Sequence, residues 1–247
     1  MYSRNRLYIS PEEQDRLGSL RLLLGGAGLG SEIAECALRL GIRHIHIIDG
    51  DRVELSNLNR QNYVLSDVGR LKAEVLSERL KAIAPDADIR FTPVYLTEEN
   101  LTTYALDCDV AVNAIDFSTP VPFLFDRYYV EKNIPVLHPY NFGWIGCVFV
   151  IRSLTSEWLE WERFEGKTEI AVARFVMSRL KKKTEEWNAF AQVVDAYENE
   201  KEILPPPQLA IGSYYVASMC VSVLYKISSM GIIHDFPKFY ISRMENI

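Results

Sequence analysis

An α/β fold is predicted, a Rossmann-like doubly wound and mostly parallel sheet with an antiparallel extension and an inserted helical segment. Three observations predict it. Short leucine-rich or β-branched runs alternate with amphipathic stretches between residues 20 and 137. A glycine-rich turn, Gly25-Gly26-Ala27-Gly28-Leu29-Gly30, joins the first run to the first helix. Two of the runs end on aspartates, Asp49 and Asp116, where an open parallel sheet places its ligand groups.

Residues 20–25, Leu-Arg-Leu-Leu-Leu-Gly, read as a short buried strand. Ser31 to Leu40 carries Ile33, Ala34, Ala37 and Leu38 at helical spacing and stops at Gly41. Residues 43–48 alternate and are β-branched, so they form the second strand of a right-handed βαβ unit. Lys72 to Ala84 is an amphipathic helix closed by Pro85, and 88–95 is a third strand. Thr97 to Tyr104 reads as a short helix capped by Thr97, with Glu98 and Glu99 in its first turn. Residues 110–115 and 134–137 are strands around a helix from Phe123 to Glu131. Beyond Pro139 the apolar run Trp144 to Ile151 fits an antiparallel strand. Glu157 to Glu202 is polar and helical, and Pro205-Pro206-Pro207 ends it, which places an insertion at about 153–207. Ile211 to Ser229 is an apolar helix returning to the sheet, and Lys238 to Ser242 a final strand.

Bulk properties narrow the function classes. The chain has 247 residues, 48% hydrophobic and 24% charged, which suits a globular fold with a sizeable core. A net charge of -6 disfavours a broad phosphate-tracking surface. No apolar run approaches the roughly 20 residues of a membrane span, and Met1 to Arg6 lacks the apolar core of a signal peptide. A cytoplasmic protein without a membrane partner is the expectation. Cys36, Cys108, Cys147 and Cys220 form no Cys-x-x-Cys pair, so reduced and mostly buried thiols are expected, and no zinc.

The glycine turn lets backbone N–H groups approach phosphate, and the helix after it adds partial positive charge. Asp49 lies where a carboxylate grips a ribose hydroxyl. These features alone fit any nucleotide, nicotinamide cofactors included. The segment after Asp49 separates the alternatives. Asp49-Gly50-Asp51 leads to Ser56-Asn57-Leu58-Asn59-Arg60-Gln61, and Lys72 comes eleven residues after Gln61. Arg60 offers two donors to phosphate oxygens, and Lys72 a point charge beside a leaving pyrophosphate. Hydride transfer needs neither.

On these residues, with Val68-Gly69-Arg70-Leu71-Lys72 and Asn113-Ala114-Ile115-Asp116, the chain resembles the ThiF/MoeB superfamily of ubiquitin-activating-like adenylyltransferases. The resemblance covers about residues 1–150 and the helix at 211–229. It implies a single adenylation domain over 1–247, with ATP and magnesium as cofactors. Asp49 would bind the ribose. Gly25, Gly28 and Gly30 would lie under the phosphates, with Asp51 beside them. Asn57, Arg60 and Lys72 would contact the triphosphate, and Gln61 would line the same pocket. Asp116 would hold magnesium near the α-phosphate. Arg60, Lys72 and Asp116 would be catalytic, joined by Arg6 reaching into a neighbour's site across a homodimer. The implied activity is adenylation of a carboxylate, the C-terminus of a small ubiquitin-like or sulfur-carrier protein. Alternatives are a tRNA threonylcarbamoyladenosine dehydratase-like enzyme, a non-catalytic nucleotide-binding half of a heterodimer, and a nicotinamide-dependent dehydrogenase.

The chain departs from the family at Leu7, Ala27 and Leu71, and lacks the two Cys-x-x-Cys pairs of many relatives. Residues 148–219 contain no cysteine, so no thioester step is expected there; Cys147 reads as a small hydrophobe. In the insertion, Trp158, Trp161, Phe164 and Trp187 read as a buried stripe, and Lys181 to Lys183 as a solvated face.

Overall fold

The computed structural model describes residues 1–164, 166–180, 185–202 and 204–243. The run Lys181 to Lys183 lies outside them.

Seven strands form one sheet in the order β3-β2-β1-β4-β5-β6-β7. They are β1 (Arg21–Gly25), β2 (His44–Ile48), β3 (Asp88–Thr92), β4 (Val110–Asn113), β5 (Val136–Asn141), β6 (Gly146–Ile151) and β7 (Phe239–Ser242). The first five are parallel, with Leu24 opposite Ile47 on one side and Val112 on the other. β6 and β7 run antiparallel, Val136 facing Ile151 and Cys147 facing Ile241. The chain builds outward from β1 to β3, then crosses to β4 on the other side. The gap between β1 and β4 is therefore the topological switch point, where a crevice opens at the strands' carboxyl ends.

Strand alternation splits the interior into two cores. Leu22, Leu24, Val110, Val112, Val148 and Val150 face one layer; Leu23, Ala111, Phe149 and Ile151 face the other. The first layer holds α2 (Gly30–Leu40), α3 (Lys72–Ile83) and α9 (Ala210–Ser228). α9 is long and apolar enough, by length and composition, to cross a membrane. This corrects the expectation that no segment is. In this fold its Val216, Ala217, Cys220, Val221, Val223 and Leu224 are buried, and the helix packs against α2, β5 and β6.

The second layer holds α5 (Val121–Glu131) and the insertion's helices, α6 (Ser156–Glu162), α7 (Thr168–Arg179) and α8 (Glu185–Glu198). Phe149 is fully buried, its ring 5.5 Å from Trp161 and 5.3 Å from Phe236. Trp158, Trp161 and Trp187 are buried as expected, whereas Phe164 is exposed. The insertion thus supplies half of a core that the sheet leaves open, at roughly 1.5–3 kcal/mol per large apolar side chain buried.

Beyond shifted strand ends, such as β5 running through Pro139 to Asn141 rather than stopping at 137, two local elements differ from the expectation. α1 (Pro11–Ser19) is an additional helix, and its signal is plain: Pro11 opens it, the Ser10 hydroxyl accepts from the Glu13 N–H, and Glu13 accepts from the Ser10 N–H. α4 (Leu101–Tyr104) starts four residues later than Thr97 suggests. Thr97 and Asn100 bond to each other's backbone N–H, closing a turn that leaves Glu98 and Glu99 ahead of the helix.

Candidate active site

The glycine turn sits at the switch point. Gly26 has φ +95°, and a Cβ there would lie 2.3 Å from the Ala114 carbonyl oxygen, so β1 and β4 meet too closely for any side chain. Gly28 faces Gln61, whose Nε2 would be 3.2 Å from an added Cβ. Gly25 fits under Ile115 and Phe125. Gly30 is buried, yet a Cβ there would meet nothing within 4 Å. That is a backbone cradle beside the N-terminus of an eleven-residue helix. Ala27, in the place the dinucleotide fingerprint gives to glycine, is accommodated because its side chain is buried.

Asp49 directly follows β2 and ties the turn down. One oxygen accepts the Ala27 N–H and the other the Asp51 N–H, each at 2.6 Å. Burial raises its pKa, against these bonds and the Lys72 charge. The Tyr63 hydroxyl donates to the Ala27 carbonyl at 2.7 Å and lies 3.3 Å from the Lys72 carbonyl, which sets the turn beside the start of α3. Lys72, first residue of α3, is buried and donates from Nζ to Asp51 at 2.8 Å.

The polar run after Asp51 folds as a 3-10 turn, Leu55–Asn57. Asn57 is buried and its side-chain oxygen accepts the Glu54 N–H at 2.9 Å. The Asn57 carbonyl accepts from both Arg60 and Gln61. Arg60 donates Nη1–H to the Ser56 carbonyl (2.9 Å) and to Asn59 (2.8 Å), and Nε–H to Gln208 (2.6 Å). Burial lowers its pKa, while the nearby charges of Asp116 and Glu32 raise it. Gln61 Oε1 is buried with no hydrogen-bond partner among the described residues. A buried orphan acceptor beside Gly28 fits a ligand bearing N–H or O–H donors.

Asp116 lies just beyond β4 and opens to solvent, but the surrounding protein withdraws enough water to raise its pKa; Lys72 and Arg60 oppose this and Asp51 adds to it. Arg6 is not part of the cleft within one chain. It is exposed, donates to the Ser3 carbonyl at 3.3 Å, and precedes Leu7 and Tyr8, which protrude.

Three further residues join the cleft without a sequence signal that marks them. Gln208 lies 148 positions from Arg60, too far for any local pattern. Glu169, in the first turn of α7, has its pKa raised by burial and then by the charge of Asp116. Glu32 has the look of an ordinary acid in a helix's first turn. It is buried, bonded by the Ser31 hydroxyl at 3.0 Å, and desolvation pushes its pKa up to about 8. Four carboxyls (Glu32, Asp49, Asp51, Asp116) thus feel the charge of Arg60 or Lys72, Glu169 feels that of Asp116, and burial raises the pKa of Glu32, Asp49, Asp116 and Glu169.

Glu32 gives a pH-dependent prediction. Its folded pKa lies above its unfolded one, so the folded state binds the proton more tightly. Its contribution is intact below the unfolded pKa of about 4.3 and is lost as pH rises toward 8. Glu32→Gln is expected to stabilise by about 3 kcal/mol at pH 7 and by almost nothing at pH 4. Thermal melts of both proteins across pH 4–9 check it; a gain that stays constant with pH would refute the assignment.

Known proteins share this sequence pattern and this fold. A sulfur carrier protein adenylyltransferase of Thermus thermophilus is 37% identical over 149 residues, 60% of this chain and 55% of that one. A tRNA threonylcarbamoyladenosine dehydratase of Bacillus subtilis is 36% identical over 141 residues, 55% of this chain and 54% of that one. In both cases the match spans about half the relative's length. E. coli MccB, solved with ATP, shares the fold with a TM-score of 0.65 at 18% identity, over 94% of this chain and 66% of that one. The glycine turn, Asp49 and the Arg60 run all fall inside residues 2–241, which match the ThiF family model, and the chain belongs to that family.

Proposed function

We propose that this chain uses ATP to adenylate a carboxylate, with the C-terminus of a small ubiquitin-like or sulfur-carrier protein as the acceptor. The observation that carries the reading is a backbone cradle with the orphan Gln61 oxygen beside Gly28, together with Asp49, Arg60, Lys72 and Asp116, which feel one another's charges at the same sheet edge. The acceptor carboxylate, already ionised at neutral pH, attacks the α-phosphorus. The bond from the α-phosphorus to its bridging oxygen breaks, and pyrophosphate leaves with the electron pair. No general base is required. Two anions must meet, so the residues' task is to neutralise and align them. The cradle and the α2 N-terminus take phosphate oxygens, Arg60 and Lys72 hold the departing charge, and Asp49 faces the ribose.

Among the described residues no group of three or more His, Cys, Asp or Glu could hold a metal. Asp116, a single carboxylate open to solvent, would be the residue that holds magnesium, an ion that one or two protein carboxylates suffice to bind. Magnesium would supply charge neutralisation at the phosphates. Burial first, and then the charge of Asp51, raise the Asp116 pKa, and a cation beside it would favour the ionised carboxylate. A homodimer belongs to this reading, with the protruding Arg6 segment reaching a neighbour's cleft.

Pyrophosphate exchange into ATP tests the proposal. Exchange is expected with a carrier protein ending in Gly-Gly and not with tRNA. Exchange driven only by threonylcarbamoylated tRNA would transfer the reading to the dehydratase class. ATP binding without exchange for any acceptor would make the chain a non-catalytic partner.

A further inference from the structure

We propose that Gln208 is a positioning residue for Arg60, carried to the cleft by the proline run that ends the insertion. The proposal rests on the adenylation reading, which gives Arg60 its phosphate role. Gln208 Oε1 accepts the Arg60 Nε–H at 2.6 Å, while Ser56 and Asn59 take Nη1–H at 2.9 and 2.8 Å. A guanidinium has five N–H groups. These three bonds occupy Nε–H and the two Nη1 hydrogens, and among the described residues the Nη2 pair has no acceptor, which leaves it for phosphate oxygens. Gln208 is a neutral acceptor, so it fixes the fork without cancelling its charge, as a carboxylate in the same place would.

The strap that delivers Gln208 is built to hold still. Pro205, Pro206 and Pro207 fix their own φ angles and restrict the residues before them. On the far side, Asn141 at the end of β5 donates to the Leu209 carbonyl at 2.8 Å and to the Ser213 hydroxyl at 3.0 Å. Gly212 lies so close that a Cβ there would stand 2.1 Å from the Asn141 side-chain oxygen. α9 then starts at Ala210. The strap therefore crosses the cleft from the rim of β5 to Arg60. Without Gln208 the Nε–H loses its acceptor, and among the described residues the guanidinium is held only by the Nη1 bonds to Ser56 and Asn59.

The test is a double-mutant cycle on the full chain, with ATP and magnesium as the titrant in calorimetry. Gln208→Ala is expected to weaken ATP binding about 10-fold, the scale of one hydrogen bond to a charged group. It is expected to have no further effect beside Arg60→Ala. In exchange assays KM for ATP rises and KM for the acceptor does not move. Gln208→Met, which keeps the volume and removes the acceptor, repeats the result if the alanine variant folds poorly. Unchanged ATP affinity, or a full loss persisting beside Arg60→Ala, overturns the proposal. A second readout needs no ATP: the Arg60 Nε–H resonance exchanges slowly with water in the unaltered protein and rapidly in Gln208→Met. If the unaltered chain ignores ATP, the adenylation reading falls, and this resonance alone decides whether Gln208 holds Arg60.

Discussion

Asp116→Ala is expected to lower acceptor-dependent ATP–pyrophosphate exchange by roughly 10³-fold while the thermal midpoint stays within a few degrees. The two halves rest on different features of the residue. Among the described residues the Asp116 carboxylate accepts no hydrogen bond and forms no ion pair, and its side chain opens to solvent. Nothing in the fold hangs on it. Its position is fixed by the backbone instead: the Ala114 N–H donates to the Gly25 carbonyl at 2.8 Å, and the Ile115 N–H approaches the Asn113 side-chain oxygen at 3.4 Å. The strand end therefore survives the substitution, and only the charge leaves. Asp116→Asn keeps the size and tests the charge alone. Exchange near the unaltered rate in Asp116→Asn, at saturating magnesium, would remove Asp116 from the chemistry.

Much of this arrangement is legible in the sequence, for a physical reason. β1, β2 and β4 are short runs buried on both faces, and their apolar composition identifies them. The turn between β1 and α2 needs glycine at Gly26 because β4 passes 2.3 Å from where a Cβ would stand, and that need is visible as a residue type. Spacing alone could not show how Asp51 is used. Its carboxylate meets Lys72 at 2.8 Å, and an isolated bridge between Arg52 and Leu71 brings α3 back to the end of β2. The same holds for Gln208 and Glu169, which reach the cleft from the insertion. Their neighbours are set by how the insertion packs on Phe149 and Phe142, and no local pattern encodes that. Glu32 misleads for the opposite reason. An acid in a helix's first turn is locally favourable, and that local sense hides a burial imposed by the turn above it. Cys147 agrees with its reading as a small hydrophobe: it is fully buried and its pKa is raised by burial.

Lys72→Ala is expected to reduce exchange by roughly 10²–10³-fold, with a loss of fold stability of only about 1 kcal/mol. The difference in scale comes from where the ammonium sits. It lowers the pKa of both Asp49 and Asp116 and bonds Asp51 at 2.8 Å, so one cation serves three carboxyls. Removing it leaves a triphosphate facing uncompensated acids. The structural cost is small because Asp51 is 42% exposed and water replaces its partner. Lys72→Arg is not a conservative test, since the side chain at this position is only 9% exposed and a planar fork needs more room. The informative partner is Asp51→Asn. In the pair Lys72→Ala with Asp51→Asn the Lys72–Asp51 ion pair is removed from both sides, so the share of thermal stability that rests on that pair returns. Exchange does not return, because the ammonium that faced the leaving pyrophosphate is still missing. Recovery of both together would mean that Lys72 only neutralises Asp51. Recovery of stability alone places its charge on the reaction.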